Sequence, residues 1–365
     1  MNKPNSTGKT TPKLAHHVVP SRKFWASKQV LVTGGASFIG SHLVDKLVEE
    51  GSRVTVVDDF SSGKLGNLQQ SIKKIQIVKM DLEWCRLNEV VEVFKNHDVV
   101  FHLAATHGGR GYIHTHPADV CSNFAIDHHV LEASLKAEVE RVIFASSACV
   151  YPPKLQAKVG SEYLLREDDS NPFKLDECLS ADLEYGWAKL MGEVQLIAFI
   201  KQYGLKGCNV RFVTAYGPRE NETHAIIALI YKAFEKMDPF VIWGSGEQER
   251  DFTYVSDIVE GTILAAEKVT DGTSINLGTG RRYKVKDIAE KIFEIMNWRP
   301  KKIIYDISKP VGVMSRALDI SRAKELLGWE PKVSLEEGLR RTIEWYTSTH
   351  KQSGCIDEGL LIERS

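Results

Sequence analysis

Gln29-Val-Leu-Val-Thr-Gly-Gly-Ala-Ser-Phe-Ile-Gly40 decides the fold of this chain. Residues 29–33 form a short apolar, β-branched run that ends in a glycine-rich turn. A helical pattern follows to Glu50, with Leu43, Leu47 and Val48 on one face, and stops at Gly51. A second strand-like run, Arg53-Val-Thr-Val-Val-Asp58, closes on a carboxylate about 20 positions beyond the turn. Strand, glycine turn, helix and acid in this order are the physical signature of a dinucleotide site. Backbone N–H groups at the start of the helix, over Gly34, Ser37, Phe38, Ile39 and Gly40, are expected to hold a pyrophosphate. Asp58 is expected to accept hydrogen bonds from the adenosine ribose. A carboxylate there repels a 2′-phosphate, which favours NAD over NADP. Ser37 stands where such turns usually carry their middle glycine.

Outward from this unit, further strands are expected at 75–78, 99–103, 142–145, 207–212 and 275–277, with helices near 86–95, 118–137 and 183–203. Alternation of this kind predicts an α/β fold: a doubly wound (Rossmann) parallel sheet with helices on both faces. On this reading Asp81 and Leu82 lie by the adenine, and Leu103, Ala104 and Ala105 run beneath the nicotinamide ribose. Past Arg211 the rhythm breaks into turn clusters, Tyr216-Gly-Pro218 and Trp243-Gly-Ser-Gly246. A smaller interleaved substrate-binding lobe is therefore placed at 213–249 and 281–350. The NAD-binding domain takes 26–212 plus a returning segment at about 250–280. Residues 1–25 and 351–365 read as loose tails.

Bulk composition narrows the partners. Lysine plus arginine (47) balances aspartate plus glutamate (48) in 365 residues, so no bulk charge argues for nucleic acid or a membrane surface. No apolar run reaches the length of a membrane span. Six scattered cysteines (85, 121, 149, 178, 208 and 355) suit a reducing, cytoplasmic setting better than a disulfide framework.

The chemistry concentrates in Phe144-Ala-Ser-Ser-Ala-Cys-Val-Tyr-Pro152 and Tyr185-Gly-Trp-Ala-Lys189. The first is a buried strand delivering Ser147 and Cys149 at its C-terminal end, where open α/β sheets place their active sites. In the second, Tyr185 and Lys189 share a helix face. An ammonium beside the phenol would lower its pKa and make it a base near neutral pH. Cys149 could instead be a small buried hydrophobe, and Tyr185 and Lys189 an ordinary amphipathic pair. His102, His107, His114 and His116 cluster in sequence but lack cysteine or carboxylate companions at regular spacing, so no metal is assigned.

With these residues in hand, the chain resembles an extended short-chain dehydrogenase/reductase of the NAD-dependent nucleotide-sugar epimerase and dehydratase group. The likeness spans about Gln29 to Tyr346. It rests on residues 33–43 and 56–63, the Ser147/Tyr185/Lys189 set, Arg211-Phe-Val-Thr-Ala-Tyr-Gly-Pro218, Arg250-Asp-Phe-Thr-Tyr-Val-Ser-Asp257 and Leu326-Leu-Gly-Trp329. Within that group it is similar to the GDP-mannose 3,5-epimerase and GDP-fucose synthase branches, which share a cysteine at the Cys149 position. They also share a glycine pair like that in Thr106-His-Gly-Gly-Arg-Gly111. The fucose synthase branch further carries a histidine before the capping-lobe helix, matched by His224.

The resemblance implies Cys149 and His224 as an acid/base pair added to the redox set. It implies Arg250 and Arg316 as diphosphate clamps, with Gly109, Arg110 and Thr214 lining the sugar site. A homodimer through a four-helix bundle, built from the helices near 118–137 and 183–203, is also implied. Tyr185 and NAD would oxidise C4 of an NDP-hexose, and the 4-keto sugar would then lose and regain protons at C3 and/or C5 before reduction. A C4 epimerase needs no Cys149/His224 pair, a fucose synthase-like reductase would consume NADPH, and a dinucleotide-sensing protein would need no catalysis. His224 could also be a plain helix-start histidine.

Overall fold

The computed structural model describes residues 21–173 and 180–353, with side chains to 350. Cys178, Cys355 and the acidic pair Asp176-Glu177 lie outside the described residues.

Seven strands form one wholly parallel sheet: β1 (Gln29–Thr33), β2 (Arg53–Asp58), β3 (Ile75–Lys79), β4 (Val99–His102), β5 (Arg141–Ser147), β6 (Lys206–Phe212) and β7 (Asp271–Leu277), in the order 7-6-5-4-1-2-3. Alternate residues supply opposite faces. Val30 and Val32 pack with Phe101 in one core, while Leu31 and Val100 join Val142 and Phe144 in the other. A period of two with both faces buried is what a parallel sheet clad by helices requires. Six helices frame the site: α1 (Phe38–Glu49), α2 (Arg110–Thr115), α3 (Asn123–Lys136), α4 (Leu183–Tyr203), α5 (Ala225–Phe234) and α6 (Val255–Lys268).

The order of strand addition reverses between β1 and β4, so a crevice opens outside their carboxyl ends. The register sets Thr33 opposite His102, His102 opposite Phe144 and Ser147 opposite Phe212 along that rim. After Phe212 the chain builds a second layer from short strand pairs, including Thr214–Tyr216 with Phe252–Tyr254 and Phe240–Trp243 with Ile303–Asp306. It returns to the sheet through α6 and β7.

One expectation needs correction. The polar stretch through residue 25 reads as a loose tail, but Arg22–Trp25 is a helical turn and Trp25 is fully buried. Its indole Nε1 donates to Glu267 Oε1 at 2.6 Å. A large aromatic ring with its one donor satisfied stabilises the chain there despite the polar residues before it.

A buried polar knot ties the far strands together. Arg211 on β6 forms a forked pair with Glu193 of α4, at 2.8 and 2.7 Å, with both residues 2% exposed. Arg211 also donates to the Tyr151 hydroxyl at 3.1 Å and the Glu167 carbonyl at 2.9 Å. Removing one member leaves an uncompensated buried charge, so Glu193→Ala should cost about 3–5 kcal/mol of stability in urea unfolding. A loss below 1 kcal/mol would refute this reading.

Candidate active site

At the cofactor end, two glycines close the turn. Gly34 has a positive φ of 68°, and a Cβ there would stand 2.8 Å from the Ala104 nitrogen. A Cβ on Gly40 would stand 2.2 Å from the Gly34 carbonyl oxygen. The first turn of α1 therefore sits directly against the end of β1. Ser37 is the N-cap of α1, and its hydroxyl makes no capping bond. The helix start keeps donors for an anion, and serine replaces the middle glycine without closing the cradle.

Asp58 accepts from the Ala36 N–H at 2.8 Å and the Phe60 N–H at 2.9 Å. Burial pushes its carboxyl up, opposed by those two donors. Asp58 thus braces the turn between β1 and α1. Asn67, absent from the sequence reading, donates to the Ala36 carbonyl at 2.9 Å. Leu82 is buried and Asp81 is exposed. Leu103 and Ala104 direct their N–H groups at Thr33 Oγ1, and Ala105 follows them into the cleft loop. Cradle, helix start and carboxylate fit a dinucleotide. Gly40→Ala should lower NAD affinity about 10- to 100-fold in a titration, because overpacking of this kind costs about 1–3 kcal/mol. Unchanged affinity would contradict the cradle.

At the chemical end, a short 3₁₀ turn over Ala148–Val150 carries Cys149 out of the sheet, and the Cys149 N–H donates to Ser147 Oγ at 3.1 Å. Helix α4 packs on this turn. A Cβ on Gly186 would lie 2.3 Å from the Cys149 carbonyl oxygen, so the glycine after Tyr185 lets the phenol approach the thiol. Tyr185 is 7% exposed and Lys189 is 2% exposed. Burial, then the neighbouring Cys149 and Asp127, pushes the Tyr185 phenol up. Burial pulls Lys189 down, opposed by Asp127. A tyrosine base near neutral pH, expected from the Tyr/Lys spacing, is therefore not produced by the helix pair alone. The physical reason is desolvation, together with an ammonium that lies 4.7 Å from the Phe144 ring centre and faces a buried carboxylate.

Three arginines converge beside Cys149. Arg316 Nη1 approaches the thiol sulfur at 3.4 Å, and Nη2 pairs with Asp182 at 2.8 Å. Its Nε is taken by Gln156. Arg110 grips Asp182 in a fork at 3.0 and 3.0 Å. Arg250 donates only to the Glu249 and Val311 carbonyls among the described residues, at 2.7 and 2.6 Å. Burial, with Arg316 and Arg110 alongside, pushes Arg250 down to about 9. Three guanidiniums around a single carboxylate await an anion. Thr214 lies opposite Phe252 in the short strand pair.

Across the cleft, His224 caps α5, and its Nδ1 lies 3.1 Å from Glu220 Oε1. Glu220 is 6% exposed, and its other oxygen has no partner. A carboxylate at Nδ1 fixes the imidazole so that Nε2 is left for chemistry. A Cβ on Gly109 would stand 2.5 Å from the Thr223 carbonyl, so the Gly108-Gly109 loop is clasped against the approach to His224. His107 joins the two sides, with its ring centre 5.1 Å from Tyr185 and 5.4 Å from His224. It opens onto the cleft at one edge, yet desolvation by the cleft walls and the nearby His224 and Lys189 push it down to about 3, a neutral imidazole.

The four neighbouring histidines diverge. His102 is committed inward to Thr33 and Asp127, His107 faces the cleft, and His116 stacks on Tyr112. Glu220, Asp182 and Asp127 carried no signal in the sequence, and His107 stood there only as one of four clustered histidines to which no metal is assigned. Only the tight Gly108-Gly109 and Gly186 positions signalled that something must approach there.

Residues 30–278 match the NAD dependent epimerase/dehydratase family. The chain belongs to that family, and it is an NAD-dependent enzyme of the nucleotide-sugar epimerase and dehydratase class. It is 33% identical to a UDP-N-acetyl-alpha-D-glucosaminuronate decarboxylase of Bacillus cytotoxicus, over 87% of this chain and 98% of that protein. It is 30% identical to GDP-mannose 3,5-epimerase of Arabidopsis thaliana, over 88% and 84%. The solved UDP-glucose 4-epimerase of Thermotoga maritima with UDP-glucose superposes with a TM-score of 0.78 at 34% identity, covering 88% of this chain and 99% of that one. Among the described residues no helix is long and apolar enough to cross a membrane.

Proposed function

We propose that the chain inverts C3 and/or C5 of an NDP-hexose of GDP-mannose type through a transient 4-keto sugar. One observation carries this reading. A thiol held by Arg316 and packed on Tyr185 and an imidazole aligned by Glu220 are bridged by His107, whose ring centre lies 5.1 Å from Tyr185 and 5.4 Å from His224. Inversion at C4 alone needs neither.

Bound NAD would accept the C4 hydride and later return it, so the cycle is redox-neutral. Ser147 holds the C4 hydroxyl and Tyr185 takes its proton, while Lys189 binds the nicotinamide ribose. The carbonyl acidifies the hydrogens at C3 and C5. One of Cys149 and His224 removes a proton from one face and the other delivers one to the opposite face. Solvent exchange restores both groups. Arg250, with free donors, clamps the diphosphate. Arg316, whose nitrogens are already engaged, supports the thiol instead, and Gly109 and Arg110 line the sugar. Exposed Phe124 on α3 with Trp187 and Met191 on α4 supply the apolar face for a homodimer. Free cysteines throughout the described residues suit a reducing cytoplasm.

Incubating the purified protein with GDP-mannose, UDP-glucose, UDP-glucuronate and dTDP-glucose, with NADPH present, tests the class. A new epimer from the GDP-hexose without NADPH oxidation is expected. NADPH consumed in step with product would make it a reductase, and turnover restricted to UDP-hexoses at C4 would make it a 4-epimerase.

A further inference from the structure

Beneath the Tyr185/Lys189 pair lies a sealed polar chain that the mechanism above does not use. Thr33, His102 and Asp127 are each 0% exposed. Thr33 Oγ1 accepts the Ala104 N–H at 3.1 Å and shares the Leu103 N–H, at 3.2 Å, with the Thr33 carbonyl, so its lone pairs face donors. Its own proton must therefore go to His102 Nδ1, 2.8 Å away. Nδ1 is then an acceptor, and the ring hydrogen sits on Nε2, which donates to Asp127 Oδ1 at 3.0 Å. The histidine is neutral by this hydrogen-bond logic, and burial drives it in the same direction.

A neutral histidine donating to it leaves Asp127 as a carboxylate with a full charge and no cation in its hydrogen-bond shell. Its second oxygen, Oδ2, is buried without a partner. That oxygen points at α4: a Cβ on Gly192 would stand 2.7 Å from it. Gly192 lies three residues beyond Lys189, on the same helix face. The Lys189 ammonium makes no hydrogen bond among the described residues and rests over the Phe144 ring, which Gly192 also abuts. Asp127 is the charge that opposes burial at Lys189.

We propose that Asp127 is the positioning residue of the Tyr185/Lys189 pair: its carboxylate, locked by His102 and Thr33, is the counter-charge that holds Lys189 as an ammonium inside a closed pocket. The other titratable groups facing this lysine are His102 from β4 and His107 from the following loop, while Cys149 from the 3₁₀ turn faces Tyr185 on the same helix. None of them is a fixed anion. Glu193, one turn further along α4, is spent on Arg211. Losing the Asp127 charge therefore leaves desolvation unopposed, and the amine should release its proton at lower pH. The inference rests on Tyr185 acting as the C4 base, a step common to 3,5- and 4-epimerisation, so it does not depend on which carbon inverts.

The test is Asp127→Asn, which keeps the shape and the bond to His102 while removing the charge. The 13Cε resonance of Lys189, assigned by its loss in Lys189→Met, is titrated in the purified protein without substrate. A fall in its midpoint of at least one pH unit, a tenfold weaker hold on the proton, is expected, with the alkaline limb of kcat falling by the same amount. Asp127→Ser, which shortens the side chain, should move the midpoint the same way. If Lys189 titrates in both variants where it does in the parent, and only the melting temperature changes, Asp127 is a structural residue and the proposal is wrong. Because the titration involves no sugar, its outcome is independent of the 3,5-epimerase reading.

Discussion

Tyr185→Phe is expected to lower kcat by about 10²- to 10⁴-fold and to abolish solvent hydrogen exchange into the sugar at the same time. The phenol is 7% exposed and packs beside Cys149 and His107, so losing one hydroxyl leaves the packing in place. Without it nothing in the pocket takes the C4 proton. Lys189 is a cation, and His107 is held neutral but belongs to the loop rather than to the Ser147 rim. If no ketone forms, the C3 and C5 hydrogens keep their ordinary acidity, and the thiol and imidazole have nothing to act on. Epimerisation, oxidation and exchange should all fail together. Persistent exchange in Tyr185→Phe would show that proton transfer does not pass through a Tyr185-generated ketone.

Cys149→Ala should separate what Tyr185→Phe removes at once. Cys149 contributes its backbone N–H to Ser147 and its sulfur to Arg316. Only the second contact is lost with the side chain, so Ser147, Tyr185 and Lys189 keep their positions. Oxidation at C4 should persist, visible as reduced-nicotinamide absorbance when the sugar is added. Epimer formation should fall by about 10²- to 10⁴-fold. Rapid mixing followed by product analysis measures both. If epimerisation continues at the parent rate, Cys149 is a buried small residue and the acid/base pair has to be drawn elsewhere.

Much of this was legible in the residues. The run from Gln29 to Gly40 with Asp58 has one physical solution, because a glycine-tight strand-to-helix turn ending at a carboxylate is the economical way to bind a pyrophosphate and a ribose. Ser147, Cys149, Tyr185 and Lys189 lie within two short segments, so local periodicity brought them to one rim. The partners that set their electrostatics were not legible. Asp127 is 62 positions from Lys189 in the sequence, Glu220 reads as one more acid in a turn, and His107 reads as one of four histidines. Their roles depend on which strand lies beside which and on the close approaches at Gly109, Gly186 and Gly192. The expected lowering of the Tyr185 pKa failed for the same reason: spacing reports that two groups are neighbours, whereas burial decides the sign of the shift. Trp25 was assigned to the tail because composition cannot show that Glu267 waits for its indole.

Turnover of the GDP-hexose in heavy water, with deuterium located by mass spectrometry and proton NMR, tests the central claim most directly. One solvent deuteron at C3 and/or C5 of the product, none at C4, and loss of that label in both Cys149→Ala and His224→Ala is the predicted result. Product formed with no carbon-bound solvent label would contradict it.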